Sequence, residues 1–178
     1  MINFVHGSIF NAPKKSSLAQ CISGDTKFGM FRGISVDFLR HFPELQMLRG
    51  KSMSYDKLGT AVPVKVEERF IYNLVTKPLH YMKPTKACVY SALHSMRAHA
   101  IDNSVLNLAI PLLGSGCDKL DFCSDVFPML EDVFEGTGIS IEIFYLKLTP
   151  ALLRLKGLIR LVISFFLLLH FLKQNTLL

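Results

Sequence analysis

Short apolar runs alternate with longer amphipathic segments up to about Lys147. This alternation predicts an α/β fold in which strands are connected through helices. The predicted strands are the runs rich in β-branched and aromatic residues: Ile2–His6, Leu18–Ile22, Ala61–Val66, Phe70–Val75, Val105–Ile110 and Ile139–Leu146. Phe70–Val75 and Val105–Ile110 are almost continuously apolar, as expected of central strands that are covered on both faces.

Three segments between these strands carry a helical pattern: Gly33–His41, Lys86–Ala100 and Ser124–Phe134. The middle one has an apolar residue at every third or fourth position, which gives a single stripe for packing on a sheet. Thr85 and Ser124 are predicted N-caps, and Gly136 stands where a left-handed C-terminal glycine is common. Residues 42–59 have the character of a loop with, at most, a short helix.

The pattern changes abruptly after Lys147, so the sequence predicts a domain over residues 1–147 and an apolar, basic appendage over residues 148–178. The longest uncharged apolar run, Leu161–Leu169, would extend about 14 Å as a helix. A membrane-spanning helix needs roughly 20 such residues. The appendage is therefore predicted to be an amphipathic helix. Three interpretations stay open: it contacts a membrane surface or a partner, it packs on its own domain, or it is an aberrant translated end without a role.

The formal net charge of +6 comes largely from this appendage. Arg154, Lys156, Arg160 and Lys173 lie there without any acidic residue. The first 147 positions hold sixteen basic and fourteen acidic residues. A globally basic nucleic-acid binder is therefore not indicated, and no specific nucleic-acid partner is expected.

The four cysteines are Cys21, Cys88, Cys117 and Cys123. They form no Cys-x-x-Cys pair and have no histidines at zinc spacing, so no metal site, redox motif or cofactor is predicted. Reduced cysteines and the absence of a secretion signal favour a nuclear or cytoplasmic protein. Peripheral membrane association would be added if the appendage binds lipid.

Glycines follow one of the predicted central strands, in the run Ile110-Pro-Leu-Leu-Gly-Ser-Gly-Cys-Asp-Lys-Leu. Ligands of open α/β sheets bind at the carboxyl edge of the strands. Gly114 and Gly116 allow a positive φ, and they let backbone N–H groups approach an anion such as a diphosphate. A Gly-x-Gly turn alone is weak support, because most such turns only reverse the chain. No Gly-Lys-Ser/Thr follows, so this is not a Walker loop.

Lys77 and Asp118 are the candidate reactive residues. Lys77 ends the strand that begins at Phe70, and Pro78 fixes the direction in which it is presented. A lysine in such a place is usually a solvated surface charge, but a deprotonated amine is a nucleophile for an anomeric or carbonyl carbon. Asp118 lies on the glycine turn, where aspartate is most often a turn former or helix cap. Beside a bound sugar phosphate it would be able to act as a general base.

The order of these pieces along the chain resembles the macrodomain family. The matching runs are Val5–Phe10, Ser17–Ser23, Arg32–Phe38, Phe70–Lys77, Pro111–Leu120 and Phe134–Phe144. Within that family the chain is most similar to the terminal ADP-ribose protein glycohydrolases, also described as O-acyl-ADP-ribose deacylases. The resemblance covers positions 1 to about 147, and it rests on the ordered combination of motifs.

The resemblance implies a three-layer α/β/α fold with a mixed central sheet and an ADP-ribose cleft at the sheet edge. It implies that Lys77 attacks C1″ of the distal ribose, that a glutamate carboxylate leaves, and that Asp118 assists in resolving the adduct. The protein would then be a monomeric hydrolase acting on ADP-ribosylated proteins and on O-acyl-ADP-ribose. The implied ligand-binding positions are Ile9, Ser23, Gly33, Ile34, Thr76, Leu112, Leu113, Gly114, Ser115, Gly116, Cys117 and Leu146.

The chain departs from the family pattern in four places. Ser8 stands where macrodomains carry an aspartate for the adenine amino group, and Leu112 replaces a basic residue. The loop between Asp25 and Gly33 is longer and lacks Met-Gly-x-Gly, and the appendage follows the last strand. Because Lys77 and Asp118 are both present, an enzyme is the favoured interpretation. The alternatives are a non-catalytic ADP-ribose reader and a membrane-associated interaction protein.

Overall fold

The computed structural model describes residues 1–26, 32–50 and 56–147, and four further helical positions, Leu152, Arg154, Leu155 and Gly157. The chain divides into two compact units, Met1–Leu146 and Lys147–Leu178. Almost all of the predicted amphipathic appendage lies outside the described residues, so its three interpretations stay predictions. Within the described part of the chain, no helix has both the length and the apolar character needed to cross a membrane.

A six-stranded mixed sheet lies at the centre of the first unit. Its strands are β1 (Ile2–His6), β2 (Ser17–Ser23), β3 (Ala61–Val66), β4 (Arg69–Lys77), β5 (Asn107–Pro111) and β6 (Ser140–Tyr145). Their order across the sheet is β1-β6-β5-β2-β4-β3. β3 runs antiparallel to β4, and all the other neighbours are parallel. The predicted mixed α/β fold is therefore confirmed.

Within the described residues, three α-helices with both ends defined accompany the sheet: α1 (Ile34–His41), α2 (Lys86–Asp102) and α3 (Phe127–Phe134). Short 3₁₀ segments cover Ile9–Asn11 and Pro43–Leu48, and a π-helical turn, Phe122–Val126, leads into α3. Thr85 is confirmed as an N-cap, because its hydroxyl accepts from the Cys88 N–H at 3.1 Å. Gly136 adopts the expected positive φ, at 70°.

Two predicted boundaries were wrong. Ser124 is not an N-cap: its own N–H is capped by Asp121 Oδ1 at 3.0 Å, and the α-helix proper begins only after the π-helical turn. The strand predicted from Val105 begins at Asn107, because the Val105 N–H donates to the Ala100 carbonyl and so completes the end of α2.

The helices cover both faces of the sheet. Side chains alternate between the faces along β4, so Ile71 and Tyr72 face opposite layers. Ile71 packs in a cluster with Phe38 of α1 and with Leu45 and Leu48 of the following 3₁₀ segment. The Tyr72 hydroxyl hydrogen-bonds with His99 Nδ1 of α2 at 3.1 Å. The predicted α/β/α layering is therefore present.

The five parallel strands end at the same edge of the sheet, which positions the candidate site. The loops after β1, β2, β4, β5 and β6 converge there, and they carry the residues that the sequence analysis singled out. This is the edge at which open α/β sheets bind ligands.

Candidate active site

A cleft of about 1090 Å³ opens at the carboxyl edge of the sheet. Both candidate reactive residues, Lys77 and Asp118, line it. So do eleven of the twelve predicted ligand-binding positions: Ile9, Ser23, Gly33, Ile34, Leu112, Leu113, Gly114, Ser115, Gly116, Cys117 and Leu146. Thr76, the twelfth, is fully buried and lies outside the lining. It precedes Lys77 on β4, so its side chain points to the opposite face.

Lys77 and Asp118 form an ion pair, although 41 positions separate them in the sequence. The Lys77 Nζ donates to Asp118 Oδ1 at 2.5 Å, and about a tenth of each side chain is exposed. Lys77 is positioned by β4, and its carbonyl accepts from the Gly24 N–H at 2.8 Å. Buried charges of this kind are stable only when paired. The pair therefore places an amine and a proton acceptor in direct contact within the cleft.

The loop after β5 requires glycine at Gly114. Its φ is 73°, and an added Cβ would lie 2.8 Å from the Leu120 side chain. The Leu120 N–H also donates to the Gly114 carbonyl at 3.0 Å, which closes the loop. Gly116 has no positive φ, and a Cβ there would meet no atom within 4 Å. The expected positive φ is thus confirmed at Gly114 and wrong at Gly116.

A second glycine faces this loop across the cleft. Gly33 precedes α1 and has a φ of 64° and a ψ of −150°, a region that residues with a side chain rarely adopt. An added Cβ would lie 3.5 Å from Cys117 Sγ. The backbone at the start of α1 therefore comes close to the β5 loop, as a cleft for an extended ligand requires.

The end of the cleft near β1 carries stacked aromatic rings. The Phe10 and His41 rings are 3.9 Å apart and almost parallel, at 3°. Ser8 lies beside them and caps the short 3₁₀ segment, where its hydroxyl accepts from the Phe10 N–H at 3.4 Å. One acceptor position of the Ser8 hydroxyl is therefore already used within the protein.

Cys21 lies on β2 and lines the cleft beneath the ion pair. Burial raises the pKa of its thiol to about 12, and the nearby Asp118 carboxylate adds to the shift. The thiol is therefore neutral at physiological pH. A neutral thiol is a poor nucleophile, so Cys21 is not expected to react. It forms a small uncharged part of the cleft wall.

A second polar pair joins His80, which lines the cleft, to Asp25, which does not. Asp25 Oδ2 accepts from the His80 backbone N–H at 3.0 Å, and it lies 2.6 Å from the ring Nδ1. Burial alone would raise the pKa of Asp25. Hydrogen bonding, to which the His80 backbone and ring contribute, outweighs burial and brings the pKa of Asp25 below its ordinary value. Asp25 is consequently a carboxylate at neutral pH.

Several solved structures with the same fold are macrodomains. The structure is similar to the macrodomain of Thermus aquaticus DarG, with a TM-score of 0.70 and 21% identity over 82% of this chain and 98% of that chain. It is also similar to a Trypanosoma brucei macrodomain in complex with ADP-ribose, with a TM-score of 0.63 and 11% identity over 80% of this chain and 63% of that one. Identities this low establish the fold alone.

Curated sequences provide the closer relationship. The chain is 37% identical over 145 residues to the human ADP-ribose glycohydrolase OARD1. The matched region covers 82% of this chain and 91% of that protein. The Bos taurus protein of the same name is 35% identical over the same shares. No family model matches the chain. The chain belongs to the OARD1 family of macrodomains.

The macrodomain cleft contains polar residues that sequence reasoning missed: Cys21, Arg32, Asp37, His41 and His80. Cys21, Arg32 and Asp37 lie within the runs that carry the family resemblance but were not singled out there, and His41 and His80 lie outside those runs. His80 follows the end of β4 and Asp25 the end of β2, and position after a strand was the only signal for this pair. The strands β2 and β4 are neighbours in the sheet, but this pairing cannot be predicted from their sequences.

The macrodomain site is organised around an ion pair. Among the described residues there is no group of three or more histidine, cysteine, aspartate or glutamate side chains placed to hold a metal ion. The amine of Lys77 and the carboxylate of Asp118, which are in contact there, are together able to carry out nucleophilic attack and proton transfer.

Proposed function

We propose that this macrodomain is an ADP-ribose glycohydrolase that removes mono-ADP-ribose from acidic side chains through Lys77 and Asp118. Membership of the OARD1 family makes the protein a hydrolase of ADP-ribosyl linkages. The observation that carries the finer proposal is the 2.5 Å contact between Lys77 Nζ and Asp118 Oδ1 inside the cleft. A module that only binds ADP-ribose does not need a buried lysine in contact with a carboxylate.

The first half of the reaction transfers the ADP-ribosyl group to the enzyme. Asp118 takes a proton from the Lys77 amine, and the freed lone pair forms a bond to C1″ of the distal ribose. The C1″–O bond to the glutamate side chain breaks, and the carboxylate leaves with the electron pair. Covalent catalysis of this kind divides one difficult displacement into two easier steps.

The second half of the reaction releases ADP-ribose. Water adds to C1″ and loses one proton to solvent, the C1″–N bond breaks with its electron pair on nitrogen, and the amine recovers its proton from Asp118. Since O-acyl-ADP-ribose also carries a carboxylate leaving group, the same pair is proposed to deacylate it. The glycines of the facing loops would hold the diphosphate, because backbone N–H groups bind anions best where no side chain intervenes.

The test is the release of ADP-ribose from a glutamate-linked mono-ADP-ribosylated peptide by the full chain. Lys77→Ala and Asp118→Asn should each lower the rate by about 10² or more, as expected when a nucleophile or its proton acceptor is lost. Lys65→Ala is the matched control, since Lys65 is an exposed lysine of β3 outside the cleft. It should retain the wild-type rate.

The same samples distinguish an enzyme from a reader. Calorimetry measures ADP-ribose binding independently of turnover. A wild-type protein that binds ADP-ribose but releases none from the peptide would overturn the glycohydrolase proposal and support a non-catalytic reader. Release by Lys77→Ala at the wild-type rate would exclude the covalent mechanism.

A further inference from the structure

We propose that the loop after β4, residues 79–83, is a docking surface for the polypeptide on either side of the modified glutamate. On this docking loop Tyr81 and Met82 contact the polypeptide, and Lys83 favours substrates with further acidic residues beside that glutamate. The inference rests on the proposed function, because it concerns which ADP-ribosylated proteins the cleft accepts. It adds residues that contact the substrate protein, and none that take part in the reaction.

The burial of Lys77 makes a contact at the rim of the cleft necessary. Only about a tenth of its side chain is exposed, so the linkage at C1″ must enter the cleft to reach Nζ. The substrate polypeptide itself stays outside, and a glutamate side chain is short. The backbone on both sides of the modified glutamate therefore has to lie against the rim.

The docking loop lies within reach of that backbone. Tyr81 and Met82 line the same cleft as Lys77. Tyr81 follows Lys77 by four positions, and four residues of chain span at most about 14 Å. An extended substrate covers the same distance with about four residues of its own. Side chains near the modified glutamate are therefore long enough in reach to contact this loop.

Tyr81 and Met82 are large apolar side chains that the protein leaves uncovered. Tyr81 is 73% exposed, and Met82 is 42% exposed. Single exposed apolar residues are common on protein surfaces, but here two adjacent ones lie in the wall of one cleft. Aromatic residues and methionine are enriched at interfaces, and methionine adapts to partners of different shape. The two residues therefore have the character of a contact surface for polypeptides of varied sequence.

The conformation of the docking loop presents Tyr81 without rearrangement. The Met82 N–H donates to the Leu79 carbonyl at 3.0 Å and closes a turn. Within this turn the His80 N–H donates to Asp25 Oδ2 at 3.0 Å. The His80 ring packs edge-to-face against the Tyr81 ring, with centroids 5.3 Å apart. A side chain that is already oriented loses less conformational freedom when a partner binds.

The charges of the cleft indicate which polypeptide fits. The carboxylates among the described lining residues are both paired, Asp118 with Lys77 and Asp37 with Arg40. Three exposed basic side chains also line the cleft: Arg32, Lys83 and Lys119. In the described part of the chain, no carboxylate lies within ion-pair distance of any of the three. Lys83 lies on the docking loop, so complementary charge there favours an acidic polypeptide.

Two substrates separate contacts with the polypeptide from contacts with ADP-ribose. One is a glutamate-linked mono-ADP-ribosylated peptide, and the other is O-acetyl-ADP-ribose, which carries no polypeptide. We expect Tyr81→Ala in the full chain to lower kcat/KM for the peptide about tenfold, as truncation of an aromatic interface residue does. Most of the loss should appear in KM, because the contact is made before and during the reaction alike. The value for O-acetyl-ADP-ribose, and the affinity for free ADP-ribose by calorimetry, should stay at the wild-type level.

Tyr90→Ala is the matched control, since Tyr90 is an exposed tyrosine of α2 that does not line the cleft. It should match wild type with both substrates. Met82→Ala should show the same selective loss as Tyr81→Ala, by a smaller factor, because less of its side chain is exposed for contact.

The role of Lys83 is tested by the charge of the peptide. The modified glutamate is flanked either by aspartates or by lysines, and the wild-type protein should prefer the acidic peptide by about threefold at low salt. Added salt should weaken this preference. Lys83→Glu should abolish or reverse it. Lys65→Glu, at an exposed lysine of β3 outside the cleft, should retain it.

Three results would overturn the inference and leave the proposed function intact. The first is an unchanged kcat/KM for the peptide in Tyr81→Ala. The second is an equal loss with peptide and O-acetyl-ADP-ribose, which would show that Tyr81 contacts ADP-ribose or shapes the cleft. The third is a preference for the acidic peptide that survives Lys83→Glu. A wild-type protein that turns over neither substrate would instead overturn the proposed function, and the docking surface with it.

Discussion

Lys77 and Asp118 are proposed as the reactive pair because the fold buries them together. Each residue type is ordinary at its position in the sequence, and a lysine that ends a strand is usually solvated. In the structure only about a tenth of each side chain is exposed, and each is the other's charge partner. Truncating one would leave the other buried and unpaired, which costs more than the pair itself contributes. The two residues are therefore expected to act as a unit.

The cysteines of the cleft offer a prediction at the same scale. Cys117 is exposed on the β5 loop, whereas burial and the Asp118 charge raise the pKa of Cys21 to about 12. Only the thiolate is alkylated quickly. Iodoacetamide at neutral pH should therefore modify Cys117 and leave Cys21 unmodified, as measured by peptide mass mapping. Saturating ADP-ribose should slow the reaction at Cys117; labelling of Cys21 as fast as Cys117 would contradict the assignment.

The positions of the proposed reactive residues in the cleft could be predicted from the sequence, but their contacts could not. Lys77 and Asp118 each follow a recognisable strand, and the ordered motifs indicated their roles through the family resemblance. The Asp25–His80 pair was missed because its hydrogen bonds depend on the fold of the loop after Pro78. Neither residue type nor spacing identifies that fold.

Among the elements, the β5 loop shows how one glycine determines the shape of the site. Strand β5 and the glycine turn were predicted, but the sequence gives Gly114 and Gly116 equal weight. The folded structure distinguishes the two glycines, because the requirement for glycine at Gly114 arises from its positive φ and from the Leu120 side chain beside it. Similarly, the start of α3 was misplaced because a π-helical turn precedes it, and such turns have no strong sequence pattern.

Gly114→Ala and Gly116→Ala should therefore differ in stability. The alanine at 114 must adopt a left-handed conformation and displace Leu120, which should lower the free energy of unfolding by about 1–2 kcal/mol or more. The alanine at 116 meets open space and should have little effect on folding. Thermal unfolding followed by circular dichroism measures both. Equal stability of the two variants would show that the loop tolerates a side chain at either position.

At the scale of the whole molecule, the order of the strands places the loops that carry the proposed catalytic residues together. The sheet order β1-β6-β5-β2-β4-β3 is not sequential, so it brings the loops after β2, β4 and β5 side by side. Strand patterns predict which segments pair in a sheet only when the strands are consecutive. The α/β class followed from the alternation of elements, and the site at the sheet edge followed from the general rule for open α/β sheets. The three layers came from the macrodomain resemblance. For residues 148–178 the amphipathic helix remains a prediction.

The release rate across a double-mutant cycle tests the central claim most directly. Free ADP-ribose from a glutamate-linked substrate would be measured for wild type, Lys77→Ala, Asp118→Ala and the double variant, with circular dichroism to establish that each is folded. If the two residues form one catalytic unit, each single variant loses about 10² or more in rate, and the double variant loses no more than the worse single one. A rate loss in the double variant equal to the product of the two single losses would contradict this account of the macrodomain. So would a wild-type rate in either single variant.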